Sequence, residues 1–173
     1  MRGPDTKVPR KWADFLRNDS NKKSLINFIY HEWQSDKYAK YLKDREIYFV
    51  NEESCDKFTS DGKITLTEPV CDLFSTQEEA DTRIILHCLY ACKQDNSRRI
   101  CVRSQYTDVF LLLLAFSDAI QSTVYFDTGH GAKRRQINIS GLADTFSKSA
   151  RDAILGIHSF TGCDSTSCFS GKG

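Results

Sequence analysis

Residues 99–126 read RICVRSQYTDVFLLLLAFSDAIQSTVYF, and the fold turns on them. Arg99-Ile-Cys-Val-Arg-Ser104 is an apolar run with basic ends, which predicts a buried strand whose ends reach solvent. Thr107 is an N-cap residue type, and the Leu- and Phe-rich stretch after it predicts a helix through Ala119. Val124–Phe126 then predicts a second strand. Strands alternating with helices imply a mainly parallel sheet covered on both faces. In such sheets ligands gather beyond the carboxyl ends of the strands.

Upstream, Ser75-Thr-Gln-Glu78 has the form of a capping box and opens a helix over 76–93. Ile47–Val50 and Lys63–Thr67 read as strands of a hairpin around the turn Asp61–Gly62. Asp19 or Ser20 caps a helix over 21–34, with Leu25, Ile26, Phe28, Ile29 and Trp33 as its apolar face. Pro9 opens a shorter helix through Arg17, and residues 35–45 are charged, Tyr-rich, partly helical and exposed. Downstream, Asp127-Thr-Gly-His-Gly131 reads as a turn and Gln136–Ile139 as a strand, followed by helices over 140–147 and 150–160. The expected division is a helical segment, 1–45, and an α/β core, 46–173.

The bulk composition narrows the function classes. Of 173 residues, 40% are apolar and 27% charged, enough for a packed core. The net charge is +1, from 24 basic and 23 acidic side chains, so any nucleic-acid surface is local rather than global. The seven cysteines are an odd number, and the polar start lacks an apolar leader. Reduced thiols and an intracellular location, nuclear or cytoplasmic, are expected. The longest apolar run, Val109–Phe116, is far too short for a membrane span, so no membrane partner is expected.

Three acidic segments carry the chemistry. Glu78-Glu79-Ala80-Asp81-Thr82-Arg83 lies in the opening turns of a helix. Ser104-Gln-Tyr-Thr-Asp108 follows a buried strand. Gly162-Cys-Asp-Ser-Thr-Ser167 is a small-residue loop after a helix. Each alone reads as a first-turn acid complementing the helix dipole, or as a turn residue. Together they offer carboxylates from three elements, which is what hard cations such as Mg²⁺ and Mn²⁺ require. A pair of such ions serves phosphodiester hydrolysis by activating water and stabilising the attacking and leaving oxygens.

In this order the segments resemble the flap-endonuclease and XPG-type nucleases of the PIN-like superfamily. Glu79 and Asp81 match the acidic pair that opens a helix there. Asp108 matches the second Asp of a D-x-D motif. Gly162 and Asp164 match a G-x-D, and Gly171-Lys172-Gly173 resembles the glycine pair that follows. A closer similarity is to a transposon-associated branch in invertebrate genomes, carried by EEADTR, TDVFLLLL, YFDTG, KRR and FTGCDSTS over about residues 75–173.

The resemblance implies a PIN-like three-layer α/β/α sandwich, incomplete at the N-terminus. It also implies a metal-dependent nuclease in which Glu79, Asp81, Asp108 and Asp164 are the catalytic residues and hold Mg²⁺ or Mn²⁺. Nucleic acid is the expected partner, DNA ahead of RNA. Three departures stand out. Tyr106 replaces the first Asp of D-x-D, no counterpart of the family's first acidic strand precedes residue 46, and the sequence stops at Gly173, where the family's helical DNA-gripping motif is expected to follow. The implied state is an internal piece of a longer protein or a degenerate remnant. The alternative is a non-catalytic nucleic-acid-binding or protein-interaction module on the same fold.

Basic residues supply the expected nucleic-acid contacts: Arg83 beside Asp81, Lys133, Arg134 and Arg135 after the glycine-rich turn, and Lys172. A solvated hairpin tip explains the 133–135 run equally well. Arg98, Arg99 and Arg103 flank the strand that delivers Asp108. His87, Cys88 and Cys92 share a helix, but no second ligand pair gives zinc spacing, so these cysteines read as core. His158 and Cys163 hint at a Cys/His pair, with Cys163 read as packing beside Asp164.

Overall fold

The computed structural model describes residue 7 and residues 9–76, 80–94 and 99–161. Two compact units emerge, residues 1–76 and 77–173. The sequence reading places the change at 45/46. By packing, the strands that follow residue 46 belong with the helices that precede them.

The first unit opens with helix α1 (Trp12–Leu16) and helix α2 (Asp19–Trp33). Asn18 caps α2 by accepting a hydrogen bond from the Asn21 N–H at 3.3 Å, so the cap lies one residue before the two expected candidates. A 3-10 turn, Asp36–Tyr38, leads into helix α3 (Ala39–Leu42). Ala39 and Leu42 of this stretch are buried, against the expectation of an exposed segment. An antiparallel meander follows: β1 (Ile47–Asn51), β2 (Ser54–Ser60) and β3 (Thr65–Pro69).

The expected hairpin is corrected here. The turn at Asp61–Gly62 is real, but the strand it returns from is β2, which lies between the two expected strands. β2 escapes a search for apolar runs because only Cys55 and Phe58 of Ser54-Cys-Asp-Lys-Phe-Thr-Ser60 are buried apolar residues. An odd spacing puts those two on opposite faces of the strand. Phe58 shares its face with Phe49, and the Tyr30 ring of α2 packs on both at centroid distances of 5.6 and 5.7 Å. The Tyr30 hydroxyl donates to Asp56 at 3.0 Å.

In the second unit, helix α4 (Ala80–Gln94) leads to β4 (Arg99–Arg103), helix α5 (Thr107–Ala115) and β5 (Thr123–Thr128). A 3-10 turn (Gly131–Lys133) and β6 (Arg135–Asn138) precede helices α6 (Ile139–Ala143) and α7 (Lys148–Thr161). β4 and β5 pair in parallel, as the strand–helix–strand pattern predicts, with Val102 opposite Phe126 and Arg103 opposite Asp127. β6 returns antiparallel to β5. The sheet is therefore mixed, and the other sheet is wholly antiparallel. The expectation of a mainly parallel sheet fails because the 129–134 turn folds β6 straight back instead of crossing over through a helix.

Alternation sorts this sheet into two faces. Ile100, Val102, Val124, Phe126 and Ile137 lie on one face, and they form one core with Ile85, Cys88 and Cys92 of α4, Val109 and Leu113 of α5, and Ile139 of α6. The opposite face carries Cys101, Arg103, Tyr125, Asp127 and Gln136. Among the described residues of this unit the helical core elements thus cover one face, giving two layers. α5 ends at Ala115 rather than Ala119. There the Ser117 hydroxyl donates to the Leu114 carbonyl at 2.8 Å, occupying an acceptor at the helix end. Arg151 of α7 is buried and donates to the carbonyls of Ala143 and Phe146 at 2.9 and 3.0 Å, tying the end of α6 to α7. No described helix is long and apolar enough to cross a membrane.

Candidate functional site at the carboxyl end of the parallel strands

β4 ends at Arg103, and the chain turns through Ser104–Tyr106 into α5. Tyr106 occupies the N-cap position with an extended backbone and gives α5 no side-chain cap. Its N–H donates to the Ser104 hydroxyl at 3.2 Å, and the residue is 64% exposed. Asp108 falls in the first turn of α5. It is half-buried, and its Oδ1 lies 2.6 Å from Nε2 of His158 on α7. His158 therefore has a partner in the acidic constellation, while Cys163, its other sequence candidate, lies outside the described residues. An i,i+50 contact has no local sequence signal.

Asp127, near the end of β5, lies in a stretch whose sequence predicts a turn. It is instead the most deeply buried acid among the described residues of the unit, at 2% exposure. Two arginines cover it. Arg134 approaches side-on, with Nε 2.9 Å from Oδ1 and Nη2 2.6 Å from Oδ2, and Arg103 Nη1 lies 3.2 Å from Oδ2. The hydrogen bond from Arg134 chiefly holds the Asp127 carboxyl below its usual pKa. The charges of Arg134 and Arg103 act in the same sense, while burial opposes them. The carboxylate in turn raises the Arg134 guanidinium. This forked geometry is the strong form of the carboxylate–guanidinium bond.

The turn between β5 and β6 makes that geometry available. Gly129 has φ +80°, and a Cβ there would come within 2.4 Å of the Lys133 carbonyl oxygen. Only glycine lets the chain double back tightly enough to bring Arg134 onto Asp127. Gln105, on the facing loop, bonds the His130 ring. Between the two loops lies a concavity of about 400 Å³, lined by Arg103, Ser104, Gln105, Tyr106, Asp127, Thr128 and Gly129.

The expected site residues fall as follows. Asp81 is half-buried in the first turn of α4, and Asp108 is in the first turn of α5. Glu79, Asp164 and Lys172 lie outside the described residues. Among the described residues no group of three or more His, Cys, Asp or Glu side chains converges to hold a metal ion. Asp81 and Asp108 supply half of the expected set. Lys133, Arg134 and Arg135 are all exposed, but Arg134 is committed to Asp127 through one edge. Arg83 is half-buried on α4. Sequence reading missed Arg103 and Asp127 as partners. The available signal was their position at the carboxyl ends of two adjacent parallel strands, where pairing places them side by side.

The zinc alternative on α4 has no support in the chemistry of its thiols. Cys88 and Cys92 are buried in the core, and burial pushes the Cys88 thiol up to about 12. Metal binding requires the thiolate. Burial, reinforced by the charge of Arg83, lowers the pKa of His87.

Comparison of the chain with known protein families, curated proteins and solved structures finds no match.

Proposed function

We propose that this chain is a divalent-metal-dependent nuclease domain of PIN-like type, acting on phosphodiester bonds of nucleic acid, DNA ahead of RNA. The supporting observation is the meeting of opposite chemistries at one end of the β4–β5 pair. A carboxylate, Asp108, stands just past β4, and two guanidiniums stand at the end of β4 and just before β6. Hydrolysis of a phosphodiester calls for both, acids to hold a cation and cationic donors to hold the phosphate.

In this reading Asp81 and Asp108, with Glu79 and Asp164, would hold Mg²⁺ or Mn²⁺, which would lower the pKa of water and offset charge on the phosphate. His158 fixes one oxygen of Asp108, and Oδ2 has no hydrogen bond among the described residues. Such an outer partner sets the rotation of a ligand carboxylate.

One observation favours a second reading. Two acids of the described site are already paired, Asp127 of β5 with two arginines and Asp108 of α5 with His158, and Tyr106 stands where the resembled family has an acid. That pattern suits a non-catalytic nucleic-acid-binding or protein-interaction module. Calorimetric titration of Mn²⁺ into the chain and into Asp108→Asn and Asp164→Asn separates the two. The metal reading expects saturable binding that each substitution weakens at least about tenfold. Absence of binding in a folded chain would select the module.

A further inference from the structure

We propose that Arg103 and Arg134, fixed by the buried Asp127, form a subsite for the phosphate of one nucleotide unit of single-stranded nucleic acid, whose base and sugar occupy the adjoining concavity. The ligand class rests on the nucleic-acid reading above; the subsite itself needs no metal.

The argument begins with unmatched charge. One carboxylate faces two guanidiniums, so the cluster keeps a net positive charge. Tying down a hairpin turn needs only Arg134, which grips Asp127 through Nε and Nη2. Arg103 adds a second cation through Nη1 alone, with no hydrogen bond from its Nε or Nη2 to Asp127. Both side chains stay more than half exposed, 54% for Arg103 and 55% for Arg134, while that of Asp127 is 3% exposed. A buried anion that anchors two exposed planar forks presets the donors that phosphate oxygens accept from. Anchoring also removes much of the rotamer entropy that free surface arginines would lose on binding.

The concavity specifies more than an anion. Its volume of about 400 Å³ lies within the usual range for small-molecule sites. Arg103 and Asp127 border it, and Ser104, Gln105 and Thr128 supply hydroxyl and amide groups for a sugar or a base edge. Tyr106 presents an exposed ring on the same lining. Exposed aromatic rings accept stacked bases, and a base can reach such a ring only when unpaired. The position Tyr106, which is a loss when counted as a metal ligand, is here a positioning surface.

The test is calorimetry on the full chain in EDTA, with inorganic phosphate, adenosine 5′-monophosphate and a short oligothymidylate as probes. The expected order is oligothymidylate and nucleotide tighter than phosphate. Arg103→Gln should weaken nucleotide binding about ten- to hundredfold, the worth of a charge-assisted bond. Arg103→Lys, which keeps the charge and removes the fork, should also weaken it, with circular dichroism confirming the fold of both variants. Tyr106→Ala should reduce the nucleotide to the affinity of phosphate. Equal affinity for phosphate and nucleotide, an unchanged affinity in Arg103→Gln or Arg103→Lys, or no binding by a folded chain would each overturn the proposal. Because EDTA is present throughout, a chain that binds nucleotide but not Mn²⁺ keeps this subsite and loses the metal reading, and the reverse result does the opposite.

Discussion

Asp127 shows how much a single residue's meaning depends on its neighbours in space. In sequence it opens Asp-Thr-Gly-His-Gly, and small polar residues followed by glycine denote a turn. In the fold it is the acid of β5, on the face away from the core, paired across the sheet with Arg103 and bridged from the next turn by Arg134. Its ionisation follows from that. A carboxyl held below its normal pKa by arginines contributes stability that is complete above the unfolded value of about 4 and is lost as pH falls through the lower folded value. Thermal unfolding between about pH 2 and pH 6 checks this. Asp127→Asn should melt below the native chain at neutral pH, and the gap should narrow as pH falls below about 4. Parallel curves across the range would mean that the ion pairs contribute nothing to the native state. Asp108 teaches a related lesson. Its place in the first turn of α5 was legible from Thr107 and the apolar run after it, but its bond to His158, fifty residues on, was not.

At the level of elements, the strand–helix–strand core from β4 to β5 was legible because both signals agree there. Arg99–Arg103 and Thr123–Thr128 are short apolar runs with polar ends, and Thr107–Ala115 is strongly apolar over helical length. What the sequence could not announce was the direction of β6. Gln136–Ile139 looked like a strand, and Arg135–Asn138 is one, but whether it joins parallel or antiparallel depends on the length and conformation of the turn before it. β2 was hidden for a different reason, since its two buried residues face opposite sides and leave no period-two pattern. The 129–134 turn gives the prediction that belongs at this scale. Gly129→Ala places a Cβ against the Lys133 carbonyl at a positive φ, which should cost roughly 1 kcal/mol or more. It should also free Arg134 from Asp127, visible as a changed Nε resonance of Arg134 in ¹⁵N spectra. An unaltered Arg134 signal would show that the turn tolerates the methyl group and does not position the arginine.

For the whole molecule, the chain is a pair of compact units, one built on an antiparallel meander and the other on a mixed sheet with helices on its core face. The α/β class was legible from alternation alone. The three-layer arrangement was an implication of resemblance, and the second unit as described carries two layers. The candidate site was legible in part. Asp81 and Asp108 stand in first turns as the motifs imply, whereas the arginine-covered acid at the ends of the parallel strands emerges only from the pairing of β4 with β5. The central claim is that these strand ends handle phosphodiesters with the help of a divalent cation. The most direct measurement is cleavage of end-labelled single-stranded DNA by the native chain and by Asp108→Asn, with Mn²⁺ and with EDTA. The account predicts cleavage in Mn²⁺ that EDTA abolishes and that Asp108→Asn reduces by at least about a hundredfold. Cleavage that survives EDTA or the substitution, or none at all by a folded chain that binds Mn²⁺, would contradict it.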